Sequence, residues 1–231
     1  MAKVILLIGY TFVFRFFLVG NGFAKIVPSR TLLFPHLLGF ALSISPFIIT
    51  ISGARTNCSF GNNIIDSYLK QLDEYSLRWI EEPVNPLDYH ALNATVKSIQ
   101  TPVATGENIF SVADVKNLLR YGGLTPERDT LQMDIVLSYG LTEFLRMLSF
   151  AESMGWSRRD LIPHAGHQLA LHVSSGLGLG GHETASVSDT PFSGVSVDTK
   201  IEGGYAYLSD KPGIGVEYKP SLYKYFDGML N

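Results

Sequence analysis

The sequence predicts an α/β fold built on parallel strands. From residue 62 onward, short apolar runs alternate with amphipathic helical patterns. Two of those runs end in glutamates 26 residues apart, Glu81 and Glu107. A strand, a helix and a short loop occupy about that much chain in a βα repeat. Such alternation argues for a parallel sheet, either open or closed into a barrel.

Each element has its own signal. Ile64 to Tyr75 reads as an amphipathic helix, with Ile64, Ile65, Tyr68, Leu69 and Leu72 on one face. Leu77 to Ile80 reads as a short buried strand, Asp88 to Ile99 as a helix and Val103 to Thr105 as a strand. Ser111 suits an N-cap for a helix over Val112 to Leu119. A strand over Thr130 to Ile135 and a long helix from Leu141 to Met154 follow. Leu161 to Pro163 is a fourth strand pattern, with a helix over Gln168 to Ser175. The tail, Val195 to Tyr218, is rich in glycine and β-formers. It predicts extended segments joined by turns such as Glu202-Gly203-Gly204. Gly176 to Gly181 lacks the strand-then-helix setting of a nucleotide loop and reads as a tight turn.

Composition narrows the function classes. A net charge of −3 with no basic stripe excludes nucleic acid as an evident partner. The one cysteine, Cys58, rules out an internal disulfide and a thiolate metal cluster. Charge is unevenly spread, for the first acidic residue is Asp66. Before it come only Lys3, Arg15, Lys25, Arg30 and Arg55, with no charge between the last two. This break predicts a boundary that separates residues 1–54 from a domain over 55–231. The N-terminal part has two apolar stretches, Val4–Gly20 and Thr31–Gly53. The first is interrupted by Arg15; the second is long enough to span a bilayer but holds Pro35, His36 and Pro46. Three readings stand: membrane attachment through residues 4–53, a signal region, or foreign sequence joined to the domain by the gene model.

The chemistry-bearing residues fall at predicted strand ends. Active sites of barrel enzymes lie on that face. Glu81 and Glu107 would converge there, and paired carboxylates suit a hard cation such as Mg²⁺. Taken alone, acidic residues at strand ends serve as often to cap helices or pair with arginine. Asp134 and His164 end the next two strand patterns. A carboxylate beside an imidazole raises its pKa and fixes its tautomer, which makes an acid–base catalyst. Glu183, after Gly180-Gly181-His182, would end the last strand and either bond a substrate oxygen or face solvent. His167, His172 and His182 are weaker candidates, His172 being packed or solvated on its helix.

Together these segments carry a resemblance. Trp79-Ile80-Glu81-Glu82-Pro83, Ala104-Thr105-Gly106-Glu107-Asn108, Leu131-Gln132-Met133-Asp134 and Pro163-His164-Ala165-Gly166-His167 resemble the mandelate racemase/muconate lactonizing branch of the enolase superfamily. Within it, the pattern is most similar to D-tartrate dehydratase and related acid-sugar dehydratases, over roughly residues 60–226. The resemblance implies a TIM-like (β/α)₇β barrel, here partial, without the N-terminal capping domain and first strands. It implies Mg²⁺ held by Glu81 and Glu107 as the second and third of three carboxylates. Asp134 and His164 match the family's Asp–His dyad, and Glu183 a late-barrel glutamate near the substrate. The implied reaction removes the proton α to a carboxylate and then expels a β-hydroxyl, with His164 as the acid. A small sugar acid such as tartrate is the implied partner, in a cytoplasmic, hydro-lyase setting. Membrane attachment through residues 4–53 and homo-oligomer formation are kept beside it.

Two departures accompany the resemblance. One repeat upstream of Glu81 stands Arg55 where the family has its first metal-binding aspartate, although Asn57 and Phe60 keep the surrounding pattern. The family's Lys-x-Lys base has only Lys25 nearby, with Val27 in the second lysine's place. These departures predict impaired Mg²⁺ binding and doubtful catalysis. They leave a second reading, a non-catalytic, membrane-attached or oligomer-forming barrel fragment.

Overall fold

The computed structural model describes residues 77–184 and 194–230, residues 69, 70, 72 and 73, and the backbone of four short strands at 3–5, 15–19, 23–27 and 48–50. Those four are β1 (Lys3–Ile5), β2 (Arg15–Val19), β3 (Phe23–Val27) and β4 (Ile48–Thr50). Next come β5 (Trp79–Glu81), α1 (Tyr89–Ser98), β6 (Val103–Thr105), α2 (Val112–Tyr121), β7 (Thr130–Leu131), α3 (Leu141–Ser153) and α4 (Gln168–Leu177). The chain closes with β8 (Lys200–Glu202), β9 (Tyr205–Tyr207) and α5 (Pro220–Leu230).

The expected parallel sheet is present. Strands β4, β5, β6 and β7 lie side by side in chain order, each pair parallel. Helix α1 makes the crossover from β5 to β6 and α2 that from β6 to β7, as a βαβ unit requires. Trp79, Ile80 and Glu81 are all buried, as are Val103, Ala104 and Thr105. Burial on both faces explains why these strands read as continuous apolar runs rather than alternating ones. One core joins sheet to helices through Ile80, Val103, Leu131, Leu92, Val96, Leu118, Phe144, Met147 and Leu148.

Helix starts follow the capping residues. The Asp88 carboxylate accepts from the Ala91 amide at 2.9 Å, and Ser111 caps α2 as predicted. Asp129 ties strands together from the loop before β7. Its two oxygens accept from the Val103 amide at 2.9 Å and the Thr125 amide at 2.8 Å. Replacing Asp129 with alanine leaves two amides without an acceptor beside the core. The expected loss is about 2–3 kcal/mol of stability, read from the urea midpoint at constant slope.

Several expectations need correction. The strand predicted over Thr130–Ile135 stops at Leu131. Asp134 bends the chain instead: its Oδ1 accepts from the Val136 and Leu137 amides at 2.6 and 2.9 Å. Such local bonds compete with the sheet ladder. The strand predicted over Leu161–Pro163 is reduced to one parallel bridge, Leu131 to Leu161, and Pro163 has no amide to extend it. Glu183 directly follows a single bridge residue, His182, rather than ending a full strand. The predicted strand over Leu77–Ile80 forms slightly later, at Trp79–Glu81.

In the tail, β8 and β9 form an antiparallel hairpin. Gly203 and Gly204, at φ 59° and 78°, make its turn, a left-handed pair that suits glycine. α5 was not anticipated; Pro220 opens it, its fixed φ fitting the first helical position. The predicted helix over Ile64–Tyr75 is seen only at residues 69, 70 and 72. Most of residues 4–53 lies outside the described residues, and so does the choice among the three readings of that segment. Among the described residues, no helix is long and apolar enough to cross a membrane.

Candidate active site

The sheet delivers the predicted residues to one end. Glu81 is the last residue of β5, and Glu107 follows β6 after Gly106. Gly106 is required here, for its φ is 133° and an added Cβ would sit 3.1 Å from the Gln132 amide nitrogen. This close approach sets Glu107 against the chain that follows β7. Asp134 and His164 come from the loops after β7 and after Leu161.

His164 binds the cluster together. Its Nδ1 lies 3.0 Å from Asp134 Oδ2, and its Nε2 lies 3.2 Å from Glu107 Oε2. Burial works against its charged form, but the Asp134 hydrogen bond and the charges of Glu107 and Glu183 outweigh it. The His164 pKa is pushed up to about 9. Burial would raise Asp134, yet hydrogen bonds from His164 and the Leu137 amide, with the His167 ring close by, hold it well below the usual carboxylate range. The pair is therefore an imidazolium on a carboxylate at neutral pH.

The glutamates are pushed the other way. Burial raises Glu81, helped by the nearby Glu107 charge and opposed by a 3.0 Å hydrogen bond from Gln132 Nε2. Burial and the Glu81 and Glu107 charges raise Glu183 to about 7. Its Oε2 accepts from the Ala165 amide at 2.9 Å, and Ala165 holds φ 75°. Glu82 is raised to about 7 by burial and by Glu107 and Glu81, against a 2.8 Å hydrogen bond from Asn108. It too is left-handed, at φ 44°. Such non-glycine conformations cost on the order of 1–3 kcal/mol and gather at functional sites.

All five predicted site residues are thus within electrostatic reach of one another. Gln132, Glu82 and Asn108 carry no role in the sequence alone, and His167 is there only a weaker candidate. Gln132 had a signal: it sits two residues before Asp134, on the face that period-two alternation would share. Glu82 and Asn108 lay in plain view beside Glu81 and Glu107, but their pairing across strands depends on register.

Oxygen donors that are desolvated and repel each other fit a hard divalent cation. Among the described residues, no group of three or more His, Cys, Asp or Glu is arranged to hold a metal. Glu81 and Glu107 could supply two ligands, leaving the others to water and substrate, as Mg²⁺ commonly allows. The register sets Thr50 of β4 level with Glu81. Arg55 lies outside the described residues.

A family model described as enolase C-terminal domain-like matches residues 65–222. The chain belongs to this family. It falls in the mandelate racemase/muconate lactonizing branch of the enolase superfamily. A D-galactonate dehydratase of Cronobacter sakazakii is 32% identical over 163 residues, covering 64% of this chain and 41% of that protein. An L-talarate/galactarate dehydratase of Salmonella typhimurium is 29% identical over 106 residues, covering 46% and 25%. The chain spans less than half the length of these curated relatives. Among solved structures, L-talarate dehydratase from Polaromonas sp. JS666, complexed with Mg and L-glucarate, superposes at TM-score 0.56. It is 23% identical, covering 74% of this chain and 44% of that one. The 3,6-anhydro-D-galactonate cycloisomerase from Zobellia galactanivorans superposes at 0.60 with 22% identity, covering 75% and 50%. These likenesses identify the fold as the enolase-superfamily barrel domain.

Proposed function

We propose that the chain is the barrel portion of a Mg²⁺-dependent acid-sugar dehydratase. The observation that supports this most is His164 bridging Asp134 and Glu107 amid buried glutamates. The named relatives act on galactonate and on talarate or galactarate; tartrate remains one acid within that class. The division near residue 55 belongs to the same proposal, with residues 55–231 as a partial barrel.

In this reading, Glu81 and Glu107 hold the cation. When bound, Mg²⁺ supplies charge that stabilises the enediolate formed from the substrate carboxylate. The Asp134 carboxylate keeps the His164 imidazole protonated and oriented. His164 gives its Nε2 proton to the departing β-hydroxyl, which leaves as water. The remaining enol becomes a 2-keto-3-deoxy acid. Glu183, raised to about 7, is half protonated near neutrality and can donate to a substrate oxygen. The resemblance places the α-proton acceptor on a Lys-x-Lys strand. Lys25, the lysine nearest that place, is described in its backbone only.

The test is turnover of galactonate, galactarate, talarate and tartrate by the purified chain with millimolar Mg²⁺. A 2-keto-3-deoxy product that forms with Mg²⁺ and is lost with chelator supports the reading. No product from any acid, together with no Mg²⁺ binding by calorimetry, sinks it.

Arg55 makes its own prediction. Two unit charges 4 Å apart repel by ~4 kcal/mol at an effective dielectric near 20, and a guanidinium facing doubly charged Mg²⁺ by about twice that. Arg55→Asp should therefore tighten Mg²⁺ binding at least tenfold by calorimetry. Unchanged affinity would place Arg55 away from the site.

A further inference from the structure

We infer that His167 is a positioning residue for the Asp134–His164 pair, its single ring proton aimed at Asp134 by the start of α4. The inference rests on the proposed dehydratase reading for its kinetic consequence, but not for its geometry.

His167 is the N-cap of α4. Its Nδ1 accepts from the Ala170 amide at 3.1 Å. A backbone N–H can only donate, so Nδ1 must be the unprotonated nitrogen. That leaves the neutral ring with its proton on Nε2. This nitrogen is buried, lacks a close hydrogen-bond partner and lies 3.7 Å from Asp134 Oδ1. The other Asp134 oxygen carries His164. Asp134 is therefore flanked by two imidazoles that differ in kind: one exchanges protons with the cavity, the other has its tautomer fixed.

The backbone of His167 is held in turn. Its carbonyl oxygen lies 3.1 Å from Nε2 of the fully buried His182, whose Nδ1 pairs with Thr184 Oγ1. If Nε2 donates to that carbonyl, His182 Nδ1 accepts from the threonine hydroxyl, and both ring nitrogens of His182 are used. The sequence Pro163-His164-Ala165-Gly166-His167 thus places both imidazoles on Asp134 by turning sharply through Ala165 and Gly166, at φ 75° and 57°. Asp134 Oδ1 also accepts from the Val136 and Leu137 amides at 2.6 and 2.9 Å, so the His167 proton is a third donor at that oxygen, the one that comes from a separate segment rather than from Asp134's own turn. At 3.7 Å the contact is long, and closure onto substrate would shorten it.

A capping histidine has a structural role as well, so the test separates the two. His167→Asn keeps an acceptor for the Ala170 amide but is too short to reach Asp134. His167→Ala removes both. The expected result is that His167→Asn melts close to the parent while His167→Ala melts several degrees lower. His167→Asn should nonetheless lower kcat about tenfold with KM little changed. Parent-like kcat in His167→Asn would overturn the proposal.

A second readout holds even if no substrate turns over. In the full chain labelled with ¹⁵N-histidine, His167 should give an unprotonated Nδ1 and a protonated Nε2, and His167→Asn should move the His164 ring resonances. A protonated His167 Nδ1, or unmoved His164 resonances, would overturn the proposal. Failure of every acid in the assay with the expected tautomer would instead count against the dehydratase reading alone.

Discussion

His164→Asn should abolish most dehydration, lowering kcat by about 10²–10⁴-fold. Among the described residues, the imidazole is the only group that touches both Asp134 and Glu107, at 3.0 and 3.2 Å. Asparagine can still bond one neighbour but cannot carry a transferable proton. Substrate binding through the cation should survive, so KM should change far less than kcat. The fold should survive as well, because the His164 side chain is 28% exposed and contributes no core packing. A matched pair of measurements decides it: product formation, and calorimetric titration of a sugar acid in Mg²⁺. Equal loss of kcat and binding would mean that His164 holds substrate rather than delivering a proton.

Without a divalent cation, the protein should lose on the order of 2–3 kcal/mol of stability between pH 6.5 and 9. His164 carries most of this. Its folded pKa of about 9 lies above its ordinary value of 6.5. The folded state therefore binds more protons than the unfolded chain in that window. Its stabilisation is fully present below 6.5 and is lost as pH rises through about 9. Glu82 and Glu183, raised to about 7, add to the loss at the lower edge of the window. Below pH 6.5 the balance changes. Buried His182, pushed down to about 4 by desolvation, favours folding as pH rises and opposes the two glutamates. Two raised glutamates outweigh one lowered histidine, so the curve should already be falling at pH 6 and go on falling above it. Millimolar Mg²⁺ should flatten the fall, since a cation favours the ionised glutamates. Urea unfolding at pH 6, 7.5 and 9, with and without Mg²⁺, tests this. Greater stability at pH 9 than at pH 6 in chelator would contradict the placement of His164 between two carboxylates.

The sequence by itself determined the parallel α/β class, most of the order of elements from Trp79 to Leu177, and the candidacy of Glu81, Glu107, Asp134, His164 and Glu183. These are legible because they rest on local signals: buried apolar triplets, capping residues such as Asp88 and Ser111, and polar residues just beyond apolar runs. Tertiary structure decided how those residues meet. Asp134 turns its own chain through the Val136 and Leu137 amides, so its strand ends early and its carboxylate is fixed by backbone. Glu183 reaches the cluster from a loop through the Ala165 amide, which no periodicity encodes. Gln132 and Asn108 became partners of Glu81 and Glu82 only when the register of adjacent strands was set. His167, a weak candidate in isolation, gained its place from the start of α4. Spacing reports which side chains share a strand end. Tautomers, proton affinities and pairings depend on distances of a few ångströms between segments far apart in the chain, and only packing sets those.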